Sequence, residues 1–167
     1  MGAGPQSLQR LMRITVHSVC GKMPRWVQQG VEDYEKRLPK ELKLQWRDVP
    51  LTRRGGDRSS DQLKENDGVA LLRGIGSQDH RVALDGRGKT WSTEDLAEKL
   101  ATWLMQGQPL SFLIGGPDGL SSDCLASADQ SWSLGPMTLP HPLVRVLLVE
   151  QLYRAWTITI GHPYHRA

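Results

Sequence analysis

The sequence predicts a single α/β domain with a largely parallel β-sheet. Segments in which apolar and polar residues alternate, as in strands, are followed along the chain by segments in which apolar residues recur at helical spacing. The strand predicted at residues 110–114 is uninterruptedly apolar, which is typical of a strand buried on both faces of a parallel sheet. The length of 167 residues suits one core, and 38% hydrophobic and 23% charged residues are ordinary for a soluble domain.

The predicted strands are short and end at turn residues. The first ends at Gly21, and the third ends in a turn made by residues 86–88. Gly21 and the two glycines of the later turn are the residues that most readily break a strand. The strands are expected at residues 13–20, 42–49, 80–85, 110–114 and about 132–134.

The predicted helices begin at recognisable signals. Pro24 stands where a helix can start, and Ser92 followed by Asp95 three residues later is a capping pair. The helices are expected at about residues 24–38, 61–73, 92–105, 121–130 and 143–156.

The last predicted helix is apolar on nearly every side. Its polar residues Glu150, Gln151 and Arg154 fall on one narrow face, and Arg145 is isolated among apolar neighbours. A helix this apolar must be covered on both sides. A second subunit in a twofold homodimer is the expected cover, and a central position in the core of a monomer is the alternative. Glu150 and Arg154 can also be read as a simple helix ion pair.

Charge is unevenly distributed along the chain. Residues 1–60 carry 12 Lys and Arg against 6 Asp and Glu, whereas residues 61–167 carry 9 against 12. A basic half that faces a phosphate backbone would explain this asymmetry, and a chance distribution of surface charges is the alternative. Two cysteines, Cys20 and Cys124, are too few for a disulfide framework, which favours a reducing cytoplasm. No apolar run approaches the roughly 20 residues that span a bilayer.

Residues 1–12 are weakly patterned and lack the apolar region of a secretory signal. We expect an extension outside the domain, which then spans residues 13–167. An addition introduced for expression or an upstream start before Met12 explains it best, and a short transit-like segment is a third reading.

Two segments rich in glycine and proline are candidate ligand loops. Residues 113–119 follow the buried strand, where ligands bind in open α/β sheets, but they lack the lysine of a phosphate-binding loop and the glycine spacing of a dinucleotide fold. A tight turn is the alternative. Residues 134–142 are apolar yet rich in turn residues, which suits a flat heterocycle such as adenine, with Met137, Leu139 and Leu84 as walls. Here the alternative is a buried crossover.

The C-terminal tail, residues 162–166, offers an imidazole, an aromatic face and a guanidinium group. These groups can stack on a base and hold a phosphate, while a frayed terminus is the alternative. The tail contains no Cys, Asp or Glu, so a metal site is not expected. His17, His80 and His141 have no partner visible in the sequence and are expected to be structural.

Several segments together resemble a known family. Residues 113–120, 131–134, 137–146, 150–155 and 162–166 are similar to the bacterial SPOUT-class methyltransferases that modify N3 of a pseudouridine in large-subunit (23S) ribosomal RNA. The segment 21–24 extends the resemblance, which covers the chain from about Arg13 to the end. It implies a C-terminal trefoil knot, a homodimer and S-adenosylmethionine as the cofactor.

The resemblance also implies site residues. The cofactor contacts fall on Leu84, Gly116, Gly135, Pro136, Met137, Thr138, Leu139 and Pro140. Gly135 and Pro136 are the least typical of the family, although backbone contacts tolerate a change of side chain. The catalytic and RNA-facing residues fall on Arg154, Tyr164, His165 and Arg166. His165 is the expected base for the N3 proton, and Arg154 or Arg166 would stabilise charge on the flanking carbonyl oxygens.

Two other functions are open at this stage. The chain could be a non-catalytic module that binds the ribosome with a degenerate form of the same fold. Nucleotide hydrolysis at Gly115 and Gly116 is the weakest reading, because the phosphate-binding lysine is missing.

The chain shows no separate RNA-binding domain, so the basic first half and the tail are expected to contact RNA. We expect ribosome binding to weaken steeply with salt. Replacing Arg53 and Arg54 by Glu is expected to weaken it at low salt, and unchanged binding would exclude this loop from the RNA surface.

Overall fold

Five parallel strands form the centre of the protein. The computed structural model describes residues 12–166. Its strands are β1 (Ile14–Val19), β2 (Leu44–Val49), β3 (His80–Thr90), β4 (Leu110–Ile114) and β5 (Gln130–Ser133). They form one sheet in the order β2-β1-β4-β3-β5, and every neighbouring pair is parallel. The predicted α/β fold is confirmed.

Helices cover both faces of this sheet. They are α1 (Arg25–Glu35), α2 (Ser60–Arg73), α3 (Thr93–Gln106), α4 (Ser122–Ser127) and α5 (His141–Thr159). The first, third and fifth pack on one face, and the second and fourth pack on the other. The predicted cap of α3 is confirmed, because Ser92 and Asp95 each bond the other's backbone N–H.

The alternation of side chains along each strand divides the core into two clusters. On β1, Ile14 and Val16 point into the larger cluster with α1, α3 and α5, whereas Val19 joins the smaller cluster with α2 and α4. On β4, Phe112 belongs to the larger cluster and Leu113 to the smaller one. Because each face is covered by helices, β4 is buried along its whole length, as its apolar sequence predicts.

The predicted end of the third strand is wrong. Residues 86–88 were expected to form a turn after Asp85, but β3 continues to Thr90. Its register on β5 shifts between Leu84 and Lys89, and beyond the shift Lys89 and Thr90 pair with β5 again. The intervening residues therefore form a bulge within the strand.

Other predicted boundaries shift by a few residues. The helix α4 ends at Ser127 because Gln130 already pairs with Val82 as the first residue of β5. The helix α5 is longer than predicted at both ends and runs from His141 to Thr159.

The N-terminal boundary lies slightly earlier than predicted. Met12 is 3% exposed and packs in the larger core cluster. The rest of the predicted extension lies outside the described residues. The trefoil knot that the resemblance implies stays a prediction. Within residues 12–166, no helix combines the length and the apolar character needed to cross a bilayer.

Arg145 is not isolated among apolar neighbours, as the sequence suggested. Its guanidinium is buried and lies 2.9 Å from Asp48 Oδ1. It also stacks over the ring of Trp46, 4.5 Å from the centroid, and donates to Cys20 Sγ at 3.3 Å. This arginine therefore ties α5 to the edge strand β2 through a charge pair and a cation–π contact.

A short polar chain runs through the smaller core cluster. His17 Nε2 lies 3.0 Å from Ser111 Oγ, and that hydroxyl donates to Asp79 Oδ2 at 2.9 Å. His17 is 2% exposed. Burial, reinforced by the nearby Arg47, lowers the pKa of His17 to about 4. The imidazole is therefore neutral in the folded protein, and Ser111 satisfies its Nε2.

This histidine predicts a pH-dependent stability. Its folded pKa of about 4 lies below the ordinary value of 6.5, so the unfolded chain takes up the proton first as pH falls. Above pH 6.5 His17 is neutral in both the folded and the unfolded protein and costs no stability. Between pH 6.5 and 4 the unfolded chain binds a proton that the folded protein does not, which lowers the free energy of unfolding by about 3 kcal/mol. Urea denaturation of the wild type and of His17→Gln at several pH values measures this contribution. An equal pH slope in both proteins would contradict the assignment.

Candidate active site

A cavity of about 660 Å³ opens at the carboxyl edge of the sheet. This volume lies in the range of cofactor and small-molecule sites. Its walls are the segments that follow the five strands, because parallel strands end at one edge. The lining is mainly apolar, with many glycines and prolines.

All eight residues predicted to contact a cofactor line this cavity. The segment 134–140 forms one wall and is rigid for local reasons. Gly135 has φ +123°, a conformation that favours glycine. Its N–H donates to Ser133 Oγ at 3.2 Å, and the Ser133 hydroxyl bonds the Gly135 carbonyl at the same distance. Pro136 and Pro140 fix their own φ angles. Met137, which was expected to cover a ligand, is 79% exposed at the edge of the cavity.

The glycine-rich segment after β4 forms a second wall. Gly119 N–H donates to the Gly116 carbonyl at 3.0 Å, so these residues make a tight turn, which is also a wall of the cavity. Leu51, which follows β2, lies against Gly116 and lines the same space.

An ion-pair cluster holds this turn against the basic loop after β2. Arg54 Nη1 lies 2.8 Å from Asp118 Oδ2, and its Nη2 lies 3.0 Å from Asp67 Oδ2. Asp67 is only 4% exposed and also accepts a bond of 2.8 Å from the backbone N–H of Thr52. Both arginines are exposed, but Arg54 is paired with two carboxylates. The expectation that this loop contacts RNA stays a prediction.

Sequence reasoning missed several lining residues. Val19 ends β1, Cys20 and Gly21 follow it, and Leu51 follows β2. They were not found because the sequence does not show which strands are neighbours. The rule that ligands bind beyond the carboxyl ends of parallel strands would have indicated them once the strand order was known.

His141 is a further lining residue that the sequence analysis expected to be structural. Its Nε2 lies 2.9 Å from Ser18 Oγ, and the ring faces the cavity from the start of α5. Burial, with a contribution from the nearby Arg145, lowers the pKa of His141. The neutral imidazole is thus both anchored in the fold and part of the wall.

The predicted catalytic residues of the tail gather in a second place. Arg154 Nε donates to Glu150 Oε1 at 2.8 Å, and its guanidinium stacks over the ring of Tyr164 at 4.9 Å. Tyr164 donates to the same carboxylate oxygen at 3.3 Å and packs edge-on against Tyr153. Burial first, and then the charge of Glu150, raises the pKa of Tyr164. Arg166 is exposed.

His165 bonds through both ring nitrogens. Its Nδ1 lies 3.3 Å from Arg154 Nη1, and its Nε2 lies 2.9 Å from Glu94 Oε1. An arginine can only donate, so Nδ1 is the acceptor and Nε2 carries the proton that Glu94 accepts. The hydrogen bond from His165 lowers the pKa of Glu94. This partner on α3 is 71 residues away along the chain.

The tail cluster does not lie in the cavity of its own chain. None of the four predicted catalytic residues lines it. His141 lines the cavity at the start of α5, and Arg154 lies on the same helix about 20 Å further along, at 1.5 Å of rise per residue. The tail is predicted to lie beside the ligand loops, but within a single chain the two lie apart.

Metal ligands are not grouped in the part of the chain that the structure describes. Within residues 12–166, no three His, Cys, Asp or Glu side chains stand where they could hold one metal ion.

Comparison with known proteins decides the family. A family model described as a predicted SPOUT methyltransferase matches residues 12–165. The chain belongs to the SPOUT methyltransferase family. The fold agrees with that of a methylase family protein from Neisseria gonorrhoeae, with a TM-score of 0.50 at 11% identity, covering 100% of this chain and 93% of the other.

Relatives within the family match nearly end to end. The chain is 54% identical to the ribosomal RNA large subunit methyltransferase H of Hahella chejuensis, over 93% of this chain and 99% of the relative. It is 52% identical to the protein of the same name from Saccharophagus degradans, over 93% and 100%.

The contrast between the two neighbouring arginines gives a test. Arg54→Gln is expected to lower the melting temperature by about 3 °C, which corresponds to about 1 kcal/mol. It is also expected to weaken S-adenosylmethionine binding about threefold, because the turn at Gly116 loses its tie to Asp67. Thermal denaturation and calorimetry measure both effects. Arg53→Gln removes the same charge and is the matched control. Equal effects of the two variants would show that the ion pairs do not support the cavity.

Proposed function

We propose that this protein transfers a methyl group from S-adenosylmethionine to N3 of a pseudouridine in large-subunit ribosomal RNA. The cavity at the carboxyl edge of the sheet carries this proposal, because it is open, apolar and walled by rigid backbone. Membership of the SPOUT methyltransferase family and the names of the relatives support it. Ribosomes as the substrate would place the protein in the cytoplasm.

The cavity suits the cofactor chemically. Backbone groups of residues 135–140 line the cavity and would read the edge of an adenine, and Leu84 and Leu139 would contact its faces. When bound, S-adenosylmethionine supplies an electrophilic methyl group on a sulfonium. The contribution of the protein is then to hold donor and acceptor in line, and a wall stiffened by two prolines and Ser133 serves that purpose.

The tail cluster suits the acceptor. In the uracil ring of pseudouridine, N3–H is a donor that stands between two carbonyl acceptors. His165 Nδ1 is an acceptor and Arg154 Nη1 is a donor, 3.3 Å apart. The uracil ring would have to displace the hydrogen bond between His165 and Arg154. Nδ1 of His165 can then take the N3 proton while Arg154 neutralises the charge that develops on a flanking oxygen. Glu94 fixes the tautomer that this requires.

Two observations support a homodimer. Leu143 and Leu147, one turn apart on α5, are 41% and 37% exposed, and Trp26 on the adjacent α1 is 52% exposed. Leu143 and Leu147 are thus uncovered apolar side chains on a helix that is otherwise packed, and Trp26 is a further exposed apolar side chain on the neighbouring helix. The second observation is the separation of about 20 Å between the cavity and Arg154 along α5. A twofold pair of chains would bring the tail of one protomer to the cavity of the other.

The substrate surface is proposed to include the exposed basic residues of the first half. Arg53 and Arg58 lie on the loop beside the cavity wall, and both are exposed. Their contacts with phosphate would be sequence-independent, so recognition of one nucleotide would rest on the cavity and the tail.

The proposed function has a direct test. Mass spectrometry of ribosomal RNA from a strain that lacks the protein is expected to show one missing methyl group on a pseudouridine of the large-subunit RNA. Adding the purified protein and S-adenosylmethionine to ribosomes from that strain should restore it. Free rRNA and isolated large subunits, tested in parallel, identify the preferred substrate. An unchanged modification pattern in the deletion strain would refute the proposal.

Mixed dimers test whether the site is shared. Leu139→Trp fills the cavity and His165→Ala removes the expected base, so each variant alone should lose at least 100-fold in rate. When the two are unfolded, mixed and refolded together, half of the dimers pair one of each, and each such dimer regains one intact site. About a quarter of wild-type activity is expected. No recovery, with mixed dimers present by mass spectrometry, would mean that each chain carries its own complete site.

A further inference from the structure

A single charged side chain faces the cavity. Among the lining residues within 12–166, Asp85 is the only Asp, Glu, Lys or Arg. The rest of the lining consists of apolar side chains, glycines and prolines, with Cys20, Thr138 and His141 as neutral polar groups. A carboxylate in such surroundings acts more strongly on a charge bound nearby than it would in water.

The bulge in β3 places this residue. Leu84 and Lys89 both pair with Trp132 of β5, so residues 85–88 are left out of the ladder. Gly88 allows the chain to come back against β5 after the bulge, because a Cβ at that position would lie 2.6 Å from the backbone of Ser131. The bulge thus turns Asp85 and Gly86 toward the cavity at the point where a regular strand would continue along β5.

Arg87 fixes the carboxylate from the solvent side. Asp85 Oδ1 accepts bonds from the Arg87 backbone N–H at 2.8 Å and from its Nε at 3.1 Å. Burial acts to raise the pKa of Asp85, but the hydrogen bonds from Arg87 outweigh it and leave the pKa below its ordinary value. The Asp85 side chain is 11% exposed and that of Arg87 is 75% exposed. Arg87 Nη2 also donates to Asp85 Oδ2 at 3.3 Å, and the charge of Lys64 contributes to the lowered pKa of Asp85. Asp85 lines the cavity and its partner Arg87 does not, so water screens the positive end of this pair more than the negative end.

We propose that Asp85 gives the cavity an electrostatic preference for the positively charged methyl donor over its neutral product. This inference rests on the proposed function. At neutral pH, S-adenosylmethionine carries one net positive charge and S-adenosylhomocysteine carries none. In the transfer the S–CH3 bond breaks with its electrons left on sulfur, the N3–CH3 bond forms, and the N3 proton passes to the base. The attraction to Asp85 therefore falls when the methyl group leaves, which favours exchange of product for fresh donor.

Calorimetry with three ligands tests this role. The ligands are S-adenosylmethionine, S-adenosylhomocysteine and 5′-methylthioadenosine, which lacks the charged amino-acid end. In Asp85→Asn we expect binding of S-adenosylmethionine to weaken about tenfold, of S-adenosylhomocysteine less than about threefold, and of 5′-methylthioadenosine hardly at all. Asp123→Asn, which removes an exposed carboxylate at the start of α4, is the matched control and should leave all three unchanged. Asp85→Glu keeps the charge and should recover part of the preference.

The possible results distinguish a failure of the role of Asp85 from a failure of the proposed function. Equal weakening of S-adenosylmethionine and S-adenosylhomocysteine in Asp85→Asn, or no weakening of either, overturns the electrostatic role of Asp85. Melting curves of each variant, recorded without ligand, exclude loss of the fold as the cause. Failure of both ligands to bind the wild-type protein overturns the proposed function itself.

Discussion

The parallel pairing of all five strands is the constraint on which the site depends. Because neighbouring strands run in the same direction, the segments that follow them meet at one edge of the sheet. Those segments carry the glycines, prolines and apolar residues that wall the cavity. Helices on both faces bury the strands, so this edge and its opposite are where the backbone can meet a ligand.

Polar contacts then make the cavity rigid. Arg54 joins two loops through Asp67 and Asp118, Arg87 fixes Asp85, and Ser133 holds Gly135. Each contact holds a segment that has little regular structure of its own. The arrangement favours positioning as the source of catalysis, since a methyl transfer from a sulfonium needs an aligned acceptor more than it needs a metal.

Sequence alone predicts much of this structure and part of the site. Strands and capped helices were predicted from local signals, and the resemblance to a family indicated eight residues that line the cavity. The bulge at Asp85 was predicted as a turn, because glycines at 86 and 88 are typical of a turn and of a bulge alike. Only the renewed pairing with β5 beyond these residues distinguishes the bulge from the turn. The partners of Arg54 and His165 could not be predicted, since Asp118 and Glu94 are distant in sequence and their contacts arise from tertiary packing.

Binding of the methyl donor by the walls at the carboxyl edge of the sheet can be tested by amide hydrogen exchange, with and without saturating S-adenosylmethionine. Protection is expected to concentrate in residues 84–88, 115–120 and 134–141, with little change in α2. Protection that is absent from these three segments, or centred on another part of the molecule, would contradict it.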